Sequence, residues 1–342
     1  MPKITVIVTT FNLEMLITRC LDELLSQTFQ DFNVLIIDDA STDNTLSIIS
    51  DYKDRHPGRF QSIFFDENLG SPSLTRNAAL DSGLVDGDYL VFLDGDDRLE
   101  PDFLEVLHNM TLEHHAEIAI CAYDRVIIET GHVLCVEMQG FPNIVDIPPY
   151  DDLPAFINSA LWNKLIKVSL IGKHRFPPFR VGEDLCFFYS ILQSSVRIAF
   201  TDKVLVHYQV REVSNISTAT PDIVYALSDE LYRIHRECDI CFYKDTLELI
   251  TFIHIGLSMP IRMKNNPDVL TRKHLLWTRE YFIRNFSMFK GTKLLRLGSL
   301  RRRGVRGCLI WISLWLYKCR MPGLFLFLYT LYTKVSRKDL KF

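Results

Sequence analysis

Short apolar runs alternate with amphipathic segments in the first third of the chain, and this alternation restricts the possible folds more than any other feature. Five runs have the length of strands buried on both faces: residues 4–8, 34–37, 62–65, 89–93 and 117–121. Between the first two runs, apolar residues recur at helical spacing from Leu13 to Leu25. Strands that alternate with helices pair in parallel. The pattern therefore predicts an α/β fold, with a mostly parallel sheet flanked by helices.

Polar residues follow three of the predicted strands at the point where each strand ends. The three clusters are Thr9–Asn12, Asp38–Asp39 and Asp94–Asp97. In open α/β sheets, ligands bind beyond the carboxyl ends of the strands. We therefore expect the three clusters to line one binding site.

The last cluster, Asp94-Gly95-Asp96-Asp97, places three carboxylates within four positions. Such carboxylates repel one another unless a cation lies among them. Mg²⁺ and Mn²⁺ prefer oxygen ligands and often take one or two carboxylates together with substrate phosphates. The cluster thus predicts a site for Mn²⁺ or Mg²⁺ carrying a diphosphate. Two structural alternatives remain: a solvated turn, or Asp97 as the cap of the following helix.

Charge is distributed unevenly along the chain. Residues 290–342 contain 13 Lys or Arg and one acidic residue, whereas residues 1–289 contain 25 basic and 41 acidic residues. The tail also holds two apolar runs, 308–317 and 321–333, each shorter than the ~20 residues of a membrane span. This pattern predicts an in-plane pair of helices, over about 296–338, that binds an anionic membrane surface. The alternative is a helical hairpin packed on the protein's own core.

The net charge, the N-terminal sequence and the cysteines indicate the compartment and the kind of partner. The net charge of −4 gives no indication of a nucleic-acid partner. The N-terminus runs directly into a strand without a signal-peptide pattern. We therefore expect a cytoplasmic chain with reduced cysteines, peripheral on the inner face of the cell membrane. Cys238 and Cys241 form a lone Cys-x-x-Cys pair, interpreted as two ordinary helix residues.

Six segments occur in an order that resembles the family 2 glycosyltransferases with the GT-A fold. They are ITVIVTTFN, QTFQDFNVLIIDDASTDNT, SLTRNAAL, YLVFLDGDDRLEPDFLE, LWNKLIK and GEDLCFFYSIL. The resemblance implies an inverting transferase that uses a nucleotide-diphosphate sugar and a divalent metal, Mn²⁺ or Mg²⁺. It implies a GT-A domain at 1–218, with a nucleotide-binding half at 1–123 and an acceptor-binding half at 124–218. Residues 219–342 then form a mainly helical C-terminal region.

On the donor side, the resemblance implies six residues that hold the nucleotide sugar: Thr9, Phe11, Asp39, Arg76, Asp94 and Arg211. An aromatic ring such as Phe11 can stack on the base, unless it lies in the core. Asp39 matches the acid that reads the edge of the base, and Asp38 is the alternative. Arg76 matches an arginine near the diphosphate, where a planar guanidinium suits phosphate. The alternative for Arg76 is an ion pair at the surface.

The resemblance also implies the metal ligands and the catalytic base. Asp96 and Asp94 match the D-x-D motif that meets metal and ribose, and His207 would complete the metal shell. Glu183 and Asp184 match an acidic pair of the family. Asp184 is the predicted general base that takes the proton of the acceptor hydroxyl, with Glu183 as its partner or alternative. The structural alternative is that these acids offset a helix dipole.

On the acceptor side, the resemblance implies Trp162 and Asn163 as pocket residues, although Trp162 suits a core position equally well. The segment 206–217 resembles one that closes over the diphosphate. Gln209 stands there where the family often has an arginine, so Arg211 is the predicted phosphate ligand.

The implied reaction is transfer of a sugar, from UDP as the commonest carrier in the family, to a hydroxyl group. The implied acceptor is a glycan or a polyprenyl-diphosphate-linked oligosaccharide in bacterial capsule, exopolysaccharide or lipopolysaccharide synthesis. One alternative is a non-catalytic nucleotide-sugar-binding subunit of a polysaccharide synthase, which has no need of Glu183 and Asp184. The other is a phosphohydrolase with Asp94 as nucleophile. That chemistry typically places D-x-D-x-T at the first strand, whereas here the motif follows the fourth strand and position 98 is Arg98.

Overall fold

The computed structural model describes residues 3–147, 152–210, 220–263, 272–286, 300 and 304–336. The chain divides into two compact units. One comprises Met1–Ile147 and Asn158–Glu212, and the other comprises Pro148–Ile157 and Val213–Phe342. The predicted boundary at residue 218 stays a prediction.

The described part of the first unit contains one ten-stranded sheet. Its strands are β1 (Ile4–Thr10), β2 (Phe32–Asp38), β3 (Phe60–Phe64), β4 (Tyr89–Asp94), β5 (Arg98–Leu99), β6 (Ile118–Ile127), β7 (Val133–Glu137), β8 (Ile144–Asp146), β9 (Lys164–Lys167) and β10 (Arg197–Val210). The strand order is β3-β2-β1-β4-β9-β6-β10-β5, with β7 beside β6 and β8 beside β10. β1, β2, β3 and β4 pair in parallel, whereas β9 runs antiparallel to both β4 and β6. The predicted α/β class is confirmed.

Burial explains why the first strands are recognisable as apolar runs. β2 is buried along its whole length, and β1 is buried except at Thr9, which is partly exposed. Strands covered on both faces need apolar side chains at successive positions. Thr9 is therefore the position of β1 that reaches the surface, although Thr10 at the end of the strand is buried.

The helices of the first unit are α1 (Ile17–Leu25), α2 (Thr45–Arg55), α3 (Pro72–Asp81), α4 (Phe103–His114), α5 (Val168–Ile171) and α6 (Glu183–Leu192). The apolar periodicity places the start of α1 near Leu13, but the helix begins four residues later. The backbone N–H of Leu13 donates to Thr45 Oγ1 at 2.8 Å, and that of Glu14 donates to Asp43 Oδ2 at 3.1 Å. These bonds to side chains fix an irregular turn before the helix.

The second unit is helical in its described ranges. It contains α7 (Pro221–Glu237), α8 (Cys241–Thr251), a π-helical segment (Phe252–Ser258), α9 (Met259–Met263), α10 (Arg272–Asn285), α11 (Gly304–Lys318), α12 (Pro322–Ser336) and a 3-10 turn (Leu153–Phe156). The Tyr281 hydroxyl donates to the Ser228 carbonyl oxygen at 2.7 Å and joins α10 to α7. The predicted helical character of this region is confirmed.

The tail forms two short helices, α11 and α12, separated at Lys318–Pro322 as the polar interruption predicts. The Tyr317 hydroxyl of α11 donates to the Gly256 carbonyl oxygen at 2.7 Å, so one face of α11 packs on the second unit. Trp315 and Phe327 remain exposed. None of the helices in the described ranges combines the length and the apolar character that a membrane span requires. The packing of one face of α11 agrees with the alternative of a helical hairpin packed on the protein's own core. Membrane binding stays a prediction.

Candidate active site

Three parallel strands end side by side at one edge of the sheet. Thr9 of β1 lies opposite Asp94 of β4, and Thr10 lies opposite Asp38 of β2. Thr9 Oγ1 donates a hydrogen bond to Asp94 Oδ1 at 3.1 Å, and Thr10 Oγ1 donates to Asp38 Oδ2 at 2.8 Å. The three polar clusters of the sequence therefore meet at this edge.

Asp38 and Asp39 have different surroundings. Asp38 is fully buried, and its carboxylate accepts hydrogen bonds from Ser41 N at 2.7 Å and Ser41 Oγ at 2.6 Å. Asp39 Oδ1 accepts a hydrogen bond from Leu69 N at 2.7 Å. Because the Asp38 carboxylate is enclosed by donors of the chain itself, Asp39 is the better candidate for contact with a ligand. Phe11, one residue beyond β1, is 47% exposed and does not belong to the core.

Gly95 holds the D-x-D turn against β1. Its backbone N–H donates to the Thr9 carbonyl oxygen at 3.1 Å. A Cβ atom at position 95 would lie 3.2 Å from the same oxygen and 2.9 Å from Leu13 Cδ1. Glycine is needed here because the turn approaches the neighbouring strand so closely.

The three carboxylates of the turn are not equivalent. Asp97 is buried, and its Oδ1 accepts a hydrogen bond from Gln209 N at 3.1 Å. Burial, and then the charges of Asp94 and Asp96, raises the pKa of Asp97 well above its ordinary value. Asp97 thus ties the turn to β10, and the N-cap of α4 is Asp102 instead. Asp94 and Asp96 are partly exposed.

Arg76 of α3 connects this turn to the second acidic pair. Its Nη2 lies 2.8 Å from Asp94 Oδ1, and its Nη1 lies 2.7 Å from Asp184 Oδ1 and 3.4 Å from Glu183 Oε1. Arg76 is only 4% exposed, so this is a buried cluster and not a surface ion pair. One guanidinium therefore joins β4 to the start of α6.

Glu183 and Asp184 form the first turn of α6, directly after Gly182, which adopts a φ of 87°. Burial, followed by the charge of Asp184, raises the pKa of Glu183 to about 7. Burial also raises the pKa of Asp184, and the opposing charge of Arg76 limits that rise. Because Asp184 makes the shorter contact with Arg76, it is the better stabilised anion of the pair.

The structure places His207 in a bridge between carboxylates. Its Nδ1 lies 2.9 Å from Asp124 Oδ1, and its Nε2 lies 2.9 Å from Glu100 Oε1. Binding a metal through either nitrogen would displace one of these carboxylates, so a ligand role for His207 stays a prediction. Arg211 lies outside the described residues.

The two predicted acceptor residues lie inside the first unit. Trp162 is 6% exposed, with its ring centroid 4.5 Å from that of Tyr123 and 5.2 Å from that of Tyr208. Asn163 is fully buried, and its Nδ2 donates to the Cys121 carbonyl oxygen at 2.7 Å. Both residues support the sheet from within, whereas Tyr208 is partly exposed.

Sequence reasoning missed Lys164 as a member of this region. The residue is fully buried, and its Nζ donates to the Asn158 carbonyl oxygen at 2.7 Å and to Asn163 Oδ1 at 2.8 Å. Burial lowers its pKa to about 7, although the charge of Asp184 acts in the opposite direction. In sequence Lys164 is one of two lysines that flank Leu165 and Ile166 in the strand Lys164–Lys167, and nothing local marks it as buried.

The acidic residues fit a divalent cation only if the substrate completes its shell. Within the described ranges, no three His, Cys, Asp or Glu residues are grouped as a ready-made metal site. Asp94 and Asp96 nevertheless offer the carboxylate oxygens that Mg²⁺ and Mn²⁺ prefer. These ions commonly fill their other positions with water and substrate phosphate oxygens.

The exposed aromatic ring, the D-x-D turn and the second acidic pair lie on a mixed α/β sheet flanked by helices, the architecture of the GT-A fold. Residues 5–143 match the family model described as Glycosyl transferase family 2. The match covers 139 of the 342 residues and includes the D-x-D turn.

Two relatives illustrate the similarity. Glycosyltransferase GlyA of Streptococcus pneumoniae serotype 4 is 26% identical over 241 residues, which cover 67% of this chain and 34% of the relative. Poly(ribitol-phosphate) beta-glucosyltransferase of Bacillus spizizenii is 24% identical over 253 residues, which cover 70% of this chain and 37% of the relative. The chain thus spans little more than a third of the length of these relatives.

Solved structures share the fold. Residues 1–349 of Staphylococcus aureus TarS in complex with UDP-GlcNAc align with a TM-score of 0.71 and 20% identity, covering 97% of this chain and 92% of that chain. The Pyrobaculum calidifontis mannosyltransferase PcManGT, in complex with GDP-Man and Mn²⁺, aligns with a TM-score of 0.57 and 16% identity, covering 98% and 88%. At these identities the likeness establishes the fold alone.

Proposed function

We propose that this chain is an inverting glycosyltransferase that moves a sugar from a nucleotide-diphosphate sugar to a hydroxyl group. One observation carries the proposal: Arg76 contacts both Asp94, on the donor edge of the sheet, and Asp184, the candidate base. Transfer in a single displacement requires the leaving diphosphate and the base to flank one anomeric carbon. A carboxylate from each side within reach of one guanidinium meets that requirement.

The donor is proposed to be UDP-linked, with support from the UDP-GlcNAc bound to the related fold of TarS. Phe11 stacks on the base, and Asp39 accepts hydrogen bonds from the edge of the base. Thr9 lines the nucleotide site at the edge of the sheet. Arg211 is proposed to contact the diphosphate. Asp96 and Asp94 hold Mn²⁺ or Mg²⁺, which neutralises charge on the leaving diphosphate when bound.

Asp184 is proposed to be the general base. Its carboxylate takes the proton of the acceptor hydroxyl as the hydroxyl oxygen forms a bond to the anomeric carbon. The bond from that carbon to the diphosphate oxygen breaks, and the nucleoside diphosphate leaves with both bonding electrons. Burial raises the pKa of Glu183 to about 7, so this carboxyl is only partly ionised near neutral pH, which limits repulsion beside Asp184.

The acceptor is proposed to be a glycan or a polyprenyl-diphosphate-linked oligosaccharide in bacterial surface-polysaccharide synthesis. The name of the Bacillus spizizenii relative, a poly(ribitol-phosphate) glucosyltransferase, supports a hydroxyl-bearing polymer as acceptor. The exposed apolar side chains of α11 and α12 and the basic composition of the tail support peripheral binding to an anionic membrane. The chain then works on the inner face of the cell membrane.

A thermal-shift screen tests the donor proposal. The full chain is heated with UDP-, GDP-, dTDP- and CDP-linked sugars and Mn²⁺, with and without chelator. A ligand at a hundredfold excess over its Kd adds about 2.7 kcal/mol to the free energy of unfolding. We expect UDP-sugars to raise the melting temperature in a metal-dependent way, and the absence of a shift with all four classes would contradict the proposal.

The Asp184→Asn variant tests whether the chain is an enzyme or a binding subunit. The variant should keep the UDP-dependent thermal shift and lose most, but not all, of the release of UDP from UDP-sugars, because Asn takes up no proton. Glu183→Gln is the matched control and should retain turnover. A wild-type chain that binds UDP-sugars but never releases UDP with any acceptor extract would favour the binding subunit.

A further inference from the structure

The Arg76 side chain is held in place on all sides by the protein itself. Its two terminal nitrogens contact three carboxylates, those of Asp94, Asp184 and Glu183. The guanidinium carbon lies 5.5 Å from the ring centroid of Phe176. A planar cation over an aromatic face gains further stabilisation.

This environment differs from that of a phosphate-binding arginine. A phosphate ligand needs guanidinium N–H groups that point into an open pocket. Arg76 is 4% exposed, and its Nη1 and Nη2 are both engaged by carboxylates at 2.7–2.8 Å. A diphosphate would have to bind the remaining N–H groups of a buried guanidinium whose charge is already balanced by carboxylates.

We infer that Arg76 is a positioning residue that acts through Asp184: it orients this carboxylate and fixes its place relative to Asp94. The inference rests on the proposed function, and it assigns Arg76 a different role from the diphosphate contact that the resemblance implies. Nη2 contacts Asp94 on the donor side of the reaction centre, and Nη1 contacts Asp184, the candidate base. A shift of Asp184 relative to the donor edge is then opposed by both ion pairs.

Several charged groups face Asp184 and set its charge state. They are Arg76 from α3, Asp94 from β4, Lys164 from β9, and Glu183 beside it on α6. Asp94 and Glu183 are acids, and Lys164 makes no direct contact with Asp184 among the described hydrogen bonds and ion pairs. Removal of Arg76 therefore leaves a buried carboxylate next to two other acids, and its proton is lost only at higher pH.

The test compares nucleotide affinity with the pH dependence of turnover. The variants are Arg76→Met, Arg76→Lys and the control Arg197→Met, which removes an ion pair with Asp146 at the start of β10. UDP affinity is measured by calorimetry with Mn²⁺. Turnover is measured as UDP release from UDP-GlcNAc, UDP-glucose and UDP-galactose between pH 5 and 9.

For Arg76→Met we expect a UDP Kd within about threefold of wild type and a turnover loss of about 10²-fold, the typical effect of misplaced catalytic groups. The rising limb of its pH–rate profile should move to higher pH. Arg76→Lys keeps a cation beside Asp184 and should restore the profile without full turnover. A tenfold or greater loss of UDP affinity with an unchanged profile would overturn the inference in favour of a phosphate ligand.

A double variant distinguishes a role of Arg76 through Asp184 from a general loss of structure. If Arg76 acts through Asp184, then Arg76→Met combined with Asp184→Asn should turn over no more slowly than Asp184→Asn alone. Independent, multiplicative losses would overturn the inference. If the wild-type chain neither binds UDP nor releases it from any of the three donors, the proposed function fails and this inference falls with it.

Discussion

The Tyr208 ring lies nearly parallel to the indole of Trp162, with an interplanar angle of 9° and ring centroids 5.2 Å apart. Trp162 also meets Tyr123 edge-on, so it packs against side chains of two neighbouring strands, β6 and β10. The indole is thus a packing element beneath Tyr208, the partly exposed member of the group.

Replacing Trp162 should first of all destabilise the fold. Trp162→Ala removes a buried aromatic side chain and is expected to lower the free energy of unfolding by about 3–5 kcal/mol. Urea denaturation followed by circular dichroism measures the loss. Trp315→Ala is the control, because that indole is 52% exposed and its removal should cost little. Equal effects of the two substitutions would contradict the packing role.

Phe11 should contribute to nucleotide affinity and not to stability. Its ring is exposed at the donor edge, and stacking of a base on an aromatic side chain contributes about 1–3 kcal/mol. Phe11→Ala is expected to raise the Kd for UDP about 5- to 150-fold, with an unchanged melting temperature of the free protein. Phe11→Trp keeps a stacking surface and should retain affinity. An unaltered Kd in the alanine variant would remove Phe11 from the binding site.

Lys164 should make stability depend on pH above neutrality. Its pKa is lowered by burial from 10.5 to about 7, so between these pH values the unfolded chain binds more protons than the folded chain. Stability of the wild type should therefore rise with pH over this window, by up to about 1.4 kcal/mol per pH unit. Lys164→Met should lack this contribution, whereas Lys3→Met, at an exposed ion pair, should retain it. Parallel curves of unfolding free energy for wild type and Lys164→Met between pH 7 and 10 would contradict the assignment.

Membrane binding should depend on the exposed apolar residues of the tail. Phe327 is 63% exposed on α12, and Trp315 is 52% exposed on α11. Replacing both with serine is expected to reduce co-flotation of the full chain with vesicles of phosphatidylcholine and phosphatidylglycerol, since buried apolar area and anionic lipid both contribute to such binding. Phe64→Ser, an exposed apolar position in the first unit, is the control. Undiminished flotation of the double variant would exclude this face as the contact surface.

The strand ends were predictable because burial leaves a strong sequence signal. β1, β2 and β4 are mainly apolar before the polar residues at their ends, so the positions of Thr9, Asp38 and Asp94 could be inferred. Parallel pairing then required these ends to lie together. The pairing of Thr9 with Asp94 follows from that register alone.

The acceptor side was less predictable because its decisive interactions are long-range. β9 contains a fully buried lysine, and in sequence Lys164 looks like a solvent-exposed residue that breaks an apolar run. The partners of Arg76 are equally hidden, because Asp184 lies 108 positions further along the chain. Local periodicity carries no information about contacts over such separations.

The close approach of Gly95 to β1 has a consequence for attempts to change the donor. A Cβ atom at position 95 would crowd the Thr9 carbonyl oxygen and Leu13, so a side chain there would shift the D-x-D turn relative to the first strand of the sheet. Mutant libraries aimed at a different nucleotide should therefore keep position 95 constant and vary Phe11 and Asp39. Substitutions at Gly95 would move the acidic residues as a block, altering every donor alike without selecting among them.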